Sequence, residues 1–239
     1  MKRKLFVTSA FATFALLVAL AAASQSQAQS QDAKSPYPTM APLDQYLIAD
    51  RNAEIALART AAPESVSQDA EIMVLGRHGY EIAVKGRNNF VCLVERSWTA
   101  DINDPGFWNP KLRAPICFNA AAARTYVPIT IKKTELILAG QSKSQMFESI
   151  KAAFDKGELP TQEPGAMCFM LSKQQYLNDS AGHWHPHVMF FMPPTDPTTW
   201  GALADSPILV SQDPQDRLTT FMVPVATWSD GTPDTNAGH

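Results

Sequence analysis

The sequence predicts an α+β fold: a single domain with helices packed on a mostly antiparallel sheet. Three observations carry the prediction. Short β-rich runs gather between residues 71 and 98 and again after residue 165. Segments with apolar residues spaced at three and four fill the stretch between them. Turn-forming Gly, Pro, Asn and Asp separate the two kinds of segment. Strands first, helices in the middle and strands again is the order of an α+β chain rather than a repeating βαβ one.

The chain opens on a positive start, Lys2, Arg3 and Lys4, followed by the small and apolar run Phe14 to Ala23. Ser26-Gln27-Ala28 then places small residues where a signal peptidase cuts, so residues 1–28 read as a secretory signal peptide. The expected mature protein is periplasmic or secreted, has no transmembrane anchor after cleavage and starts at Gln29. Residues 29–42 hold Pro36, Pro38 and Pro42 among Gln and Ser, the composition of a disordered or extended leader. Residues 43–239 form the expected globular domain, with a polar C-terminal tail.

Leu43 to Thr60 reads as a helix. Pro42 lies at its first turn, and Leu43, Tyr46, Ala49, Ala53, Ala56 and Leu57 make one apolar face. Residues 71–98 read as an antiparallel meander. In it Tyr80, Ile82 and Val84, then Phe90, Cys92 and Val94, are the expected core positions. Asp101 to Pro115 is a long loop with turn dipeptides. Asn119 is placed to cap a short helix that ends before Pro128. Val127 to Ala139 reads as a helix. Ser142 and Gln145 form a capping box for the helix Ser144 to Lys156, which Gly157 stops and which turns Met146, Ile150, Ala153 and Phe154 inward. Gly165 to Leu171, Val188 to Met192, Pro207 to Ser211 and Leu218 to Val225 are strands. No internal repeat is present.

The full chain has a net charge of −3, and removing the signal takes three basic residues and no acidic one, leaving −6. No basic run follows residue 4, so nucleic acid is not an expected partner. The three cysteines permit at most one internal disulfide. Cys92 and Cys117 are the closest in sequence and the expected pair, which leaves Cys168 in an apolar segment.

Of the five histidines, His183, His185 and His187 fall within five residues, HWHPH. Pro186 favours extended backbone at His185, and in extended backbone side chains two apart share a face. Imidazoles in that arrangement suit zinc or copper, and Met189, with Met167 and Met170 on a neighbouring strand, suits a soft ion. Alternation predicts Trp184, Pro186, Val188 and Phe190 buried and the imidazoles on an outer or cleft face. Further ligands would come from elsewhere, such as His78 or an acidic side chain.

Over about five residues the segment resembles the His-x-His of zinc-hydrolase and cupin families. It lacks the glutamate that follows in cupins and the Asp-His of metallo-β-lactamases, so no family follows from it. Nucleophile-elbow, phosphate-loop, dinucleotide and His-Glu-x-x-His motifs are absent. The expectation is therefore an exported protein that binds zinc or copper through His183, His185 and His187, with no catalytic residue assigned. The alternatives are a metal-independent envelope module, which uses Trp98, Trp108 and the 101–115 loop on a polymer or protein partner, and a metal-dependent hydrolase.

Overall fold

A computed structural model describes residues 35–180, 182 and 184–235. The expected signal peptide, the start of the leader and His183 lie outside the described residues. One sheet runs through the described chain. Its strands are β1 Glu71–Gly76, β2 Gly79–Val84, β3 Val91–Glu95, β4 Ala114–Phe118, β5 Met167–Met170, β6 His187–Met192, β7 Leu209–Asp213 and β8 Leu218–Pro224. They lie in the order β2-β1-β3-β4-β5-β6-β8-β7. The helices are α1 Arg51–Arg59, α2 Glu64–Ser67, α3 Ala120–Thr125, α4 Val127–Leu138 and α5 Lys143–Asp155. The class is the expected α+β. Among the described residues no helix is long and apolar enough to cross a membrane.

The local signals in the middle of the chain act as expected. Asn119 accepts from the Ala122 amide at 3.0 Å and starts α3. The Ser142–Gln145 capping box closes in both directions at the start of α5. Met146, Ile150, Ala153 and Phe154 are all buried, and Gly157 ends the segment at φ 72°.

Residues 71–98 do not form a meander. β1 and β2 make an antiparallel hairpin, but β3 lies on the other side of β1 and runs parallel to it, Glu71 beside Val91 and Ile72 beside Cys92. The connection after β2 returns the chain to the start of β1, where a Cβ on Gly86 would lie 2.3 Å from the Glu71 amide nitrogen. β2 is consequently an edge strand. Ile82 is 50% exposed instead of buried, whereas Cys92 and Val94 are fully buried. Tyr80 keeps a hold on the core by donating its hydroxyl to the Val94 carbonyl at 2.7 Å.

The helix expected from Leu43 is interrupted. Leu43–Gln45 is one 3-10 turn, and α1 begins only after Asp50, whose carboxylate caps the Asn52 amide at 2.8 Å. Tyr46 is diverted into the core, where its hydroxyl donates to the Trp108 carbonyl at 2.8 Å and its own carbonyl accepts from Arg96 Nε at 2.7 Å. Of the leader, Tyr37, Met40 and Ala41 pack on the same cluster. β4 lies within a segment with no expected strand, and all five of its residues are buried. It carries Cys117 opposite Cys92, and the two are disulfide-bonded.

Helices cover both faces of the sheet. α1 and the alanines after it lie over Ile72, Cys92, Val94 and Cys117. On the other face, Leu93, Ile116, Phe118, Cys168 and Phe191 pack with Ala122 of α3 and Val127 of α4. Tyr126, at the α3–α4 junction, stacks on Phe191 with ring centroids 4.3 Å apart.

Candidate functional site

β6 and the polypeptide that enters it carry the histidine segment. His187 is the first residue of β6 and pairs with Met170 of β5 and Pro224 of β8. It shares its face with Met189 and Phe191, the face that α3 and α4 cover. The odd-numbered residues therefore point inward, opposite to the sequence expectation, and His187 is only 2% exposed. Val188 and Phe190, expected to be buried, are partly exposed. Alternation alone separates the two faces but does not choose between them; the helical layer chooses.

Pro186 is buried and its carbonyl accepts from the Val225 amide at 2.8 Å, which aligns the entry to β6 with the exit from β8. His185, one residue earlier, keeps 23% of its side chain exposed. Its Nδ1 lies 2.6 Å from Oδ2 of Asp234, a carboxylate with only 1% of its side chain exposed. His187 Nδ1 lies 2.7 Å from the His185 carbonyl oxygen. Since a carbonyl oxygen only accepts, Nδ1 of His187 carries the proton and Nε2 holds the lone pair. A carboxylate on Nδ1 selects the same tautomer at His185. Burial pushes the His187 pKa below the usual imidazole value, which favours the neutral ring. Trp184 lies against both rings, with centroids 5.7 Å from His185 and 4.8 Å from His187.

Asp234 comes from the tail, which is far more ordered than its polar composition suggests. The Trp228 amide donates to the Thr232 carbonyl at 2.9 Å, and the Gly231 amide returns to Trp228 at 3.0 Å with Gly231 at φ 80°. Asp230 accepts from Thr232 and from Lys173, and both hold its carboxyl below the usual range. The Ser229 amide donates to the Leu171 carbonyl at 2.9 Å, which fastens this loop to the polypeptide following β5. The signal for it was present in Asp230-Gly231, a tight-turn dipeptide between Trp228 and Pro233.

Gln175 completes the neighbourhood. Its Nε2 donates to the Trp184 carbonyl at 2.6 Å, while its buried Oε1 has no hydrogen-bond partner among the described residues. Such an orphaned acceptor costs about 1–3 kcal/mol.

Other expected contributors lie elsewhere. His78 is in the exposed β1–β2 turn, separated from β6 by β1, β3, β4 and β5. Met170 does stand opposite His187, whereas Met167 is opposite Phe190 on the other face. Cys168 is fully buried opposite Met189, and burial pushes its thiol far up, so it is inert. Trp98, Phe107 and Trp108 are core residues, at 0%, 1% and 6% exposure, and do not form a binding surface on the 101–115 loop. Among the described residues, no three His, Cys, Asp or Glu side chains are grouped so as to hold a metal ion. No family model, characterised protein or solved structure matches the chain.

Proposed function

We propose that this is an exported protein that binds a transition-metal ion, zinc or copper, through Nε2 of His185 and His187, with His183 as the third ligand. The observation that carries this reading is the tethering of both Nδ1 atoms, one to the Asp234 carboxylate and one to the His185 carbonyl. Histidines that ligate a metal usually donate their other ring N–H to a carboxylate or backbone carbonyl, which fixes the tautomer and raises ligand basicity. A histidine serving only as packing has no need of a buried carboxylate. Met170 opposite His187 supplies a soft neighbour that suits copper. The orphaned Gln175 oxygen adds a buried acceptor able to receive an N–H or O–H of a ligand.

The test is calorimetric titration of tag-free protein with Zn²⁺ and with Cu²⁺ at about pH 7.5, where unperturbed imidazole is neutral. The wild type is expected to bind more tightly than about 10 μM. His185→Ala should abolish binding, and Asp234→Asn should weaken it by about 10–100-fold. Equal binding by wild type and His185→Ala, or none by either, would refute the assignment.

A further inference from the structure

A cleft lies away from the histidine segment, where β1 and β3 begin side by side. It opens between the β2–β3 connection and α3 with a volume of about 370 Å³. That volume is in the range of small-molecule sites. Its walls carry Glu71, Asn89, Phe90, Ala120, Ala123 and Arg124.

The rim is rigid. The Arg87 amide donates to the Asp69 carbonyl at 2.7 Å, and its guanidinium pairs with the Asp69 carboxylate at 2.5 Å. Asn88 ties its amide to the Val66 carbonyl at 2.7 Å and accepts from the Phe90 amide at 3.1 Å. Gly86 lies so close to Glu71 that no side chain fits. Between these anchors Asn89 takes φ 61°, the left-handed turn conformation that asparagine tolerates.

The charges on the walls are of opposite sign and are differently engaged. Arg124 uses Nε and Nη2 on the two oxygens of Glu163, at 3.1 and 2.6 Å, which fixes its guanidinium plane and leaves Nη1 to donate. Among the described residues, no hydrogen bond or ion pair engages the Glu71 carboxylate. Glu163 already balances Arg124, so a simple anion gains little here. A molecule with a cation for Glu71 and a carboxylate for Nη1 matches both walls. Ala120 and Ala123 of α3 add small apolar side chains to the same lining.

We propose that this cleft binds a zwitterionic small molecule of amino-acid to dipeptide size, with its ammonium group on Glu71, its carboxylate on Arg124 Nη1 and its apolar side chain against Ala120 and Ala123. The site is independent of the histidine segment. Binding is followed by amide chemical shifts of the labelled mature protein in the presence of EDTA, with L-leucine and L-alanyl-L-leucine as probes. Saturable shifts at Gly86, Asn89, Val91, Ala120 and Ala123 are expected below about 10 mM. Leucinamide and N-acetyl-leucine, each lacking one charge, should bind roughly tenfold more weakly or worse. Glu71→Gln should erase the discrimination against N-acetyl-leucine, and Arg124→Gln the discrimination against leucinamide. Both substitutions are at partly or fully exposed positions, and circular dichroism checks that each variant keeps the fold. Absence of saturable shifts with either probe overturns the proposal, as does leucinamide or N-acetyl-leucine binding as well as leucine.

Discussion

Arg96 is fully buried and organises the first half of the chain. Its Nε holds the Tyr46 carbonyl at 2.7 Å, Nη1 the Val94 carbonyl, and Nη2 the Glu54 carboxylate at 2.9 Å. Glu54 Oε1 also accepts from the Leu75 amide at 3.1 Å. The pair thus joins α1, β1, β3 and the 3-10 turn in one network. Glu54→Leu strands the guanidinium without its counter-charge and should cost about 3–5 kcal/mol in urea unfolding. A loss under about 1 kcal/mol would mean that the network does not carry the packing. The neighbouring Glu95 behaves differently. It is buried among Thr130, Thr99 and the Lys133–Asp216 pair, and burial raises its pKa to about 7 despite hydrogen bonds from both threonines. Burial also opposes the Lys133 charge, but Asp216, Asp213 and Glu95 outweigh it. Folding therefore favours protonated Glu95. Its contribution is fully present below the unfolded-state value near 4.5 and is lost as pH rises through about 7. The span is about 3 kcal/mol at most. Glu95→Gln should flatten this part of the pH profile between about pH 5 and pH 8 and leave the variant at least as stable as wild type at the upper end. An unchanged profile would show that Glu95 is ionised in the folded protein throughout.

At the scale of elements, the helices were the most legible. Asn119, Ser142 with Gln145, and Gly157 are caps and stops whose partners lie within a few residues, so the sequence contains the whole interaction. The strands were legible as strands but not as neighbours. β2 alternates well, yet it lies at an edge because β3 pairs with β1. Its Ile82 projects to solvent at 50% exposure, and Ile82→Asp should cost about 1 kcal/mol or less, with the fold retained by circular dichroism. Unfolding by this substitution would place Ile82 in a buried interface. β4 carries no linear signal because Ala114–Phe118 is short and contains a proline, and its burial on both faces becomes apparent only once β3 and β5 flank it.

For the whole molecule, the Cys92–Cys117 disulfide ties the β1–β3 unit to the antiparallel remainder of the sheet across the β3–β4 pairing. It closes a loop with a sequence separation of 25. By chain entropy that loop is worth about 3 kcal/mol. The double variant Cys92→Ala, Cys117→Ala should lose about that much, read from the urea midpoint at unchanged slope. Equal midpoints for the variant and the oxidised wild type would show that the bond does not form in the protein.

By itself the sequence determined the class, the helices between Asn119 and Gly157 with their caps, and most of the strands. It also marked the histidine segment as the place to look for chemistry, and it favoured Cys92–Cys117 without fixing that pairing, which the β3–β4 register settles. These rest on periodicity and on contacts between residues near one another in the chain, which a linear reading contains. Only the tertiary structure decided that β3 lies parallel to β1, that Tyr46 breaks the first helix, and that the odd-numbered face of β6 is the buried one. It alone brought Asp234, 49 residues beyond His185, to Nδ1 of that ring. Alternation along a strand is symmetric between its two faces until a helical layer covers one. A carboxylate finds its imidazole only when a turn such as Asp230-Gly231 folds the chain back.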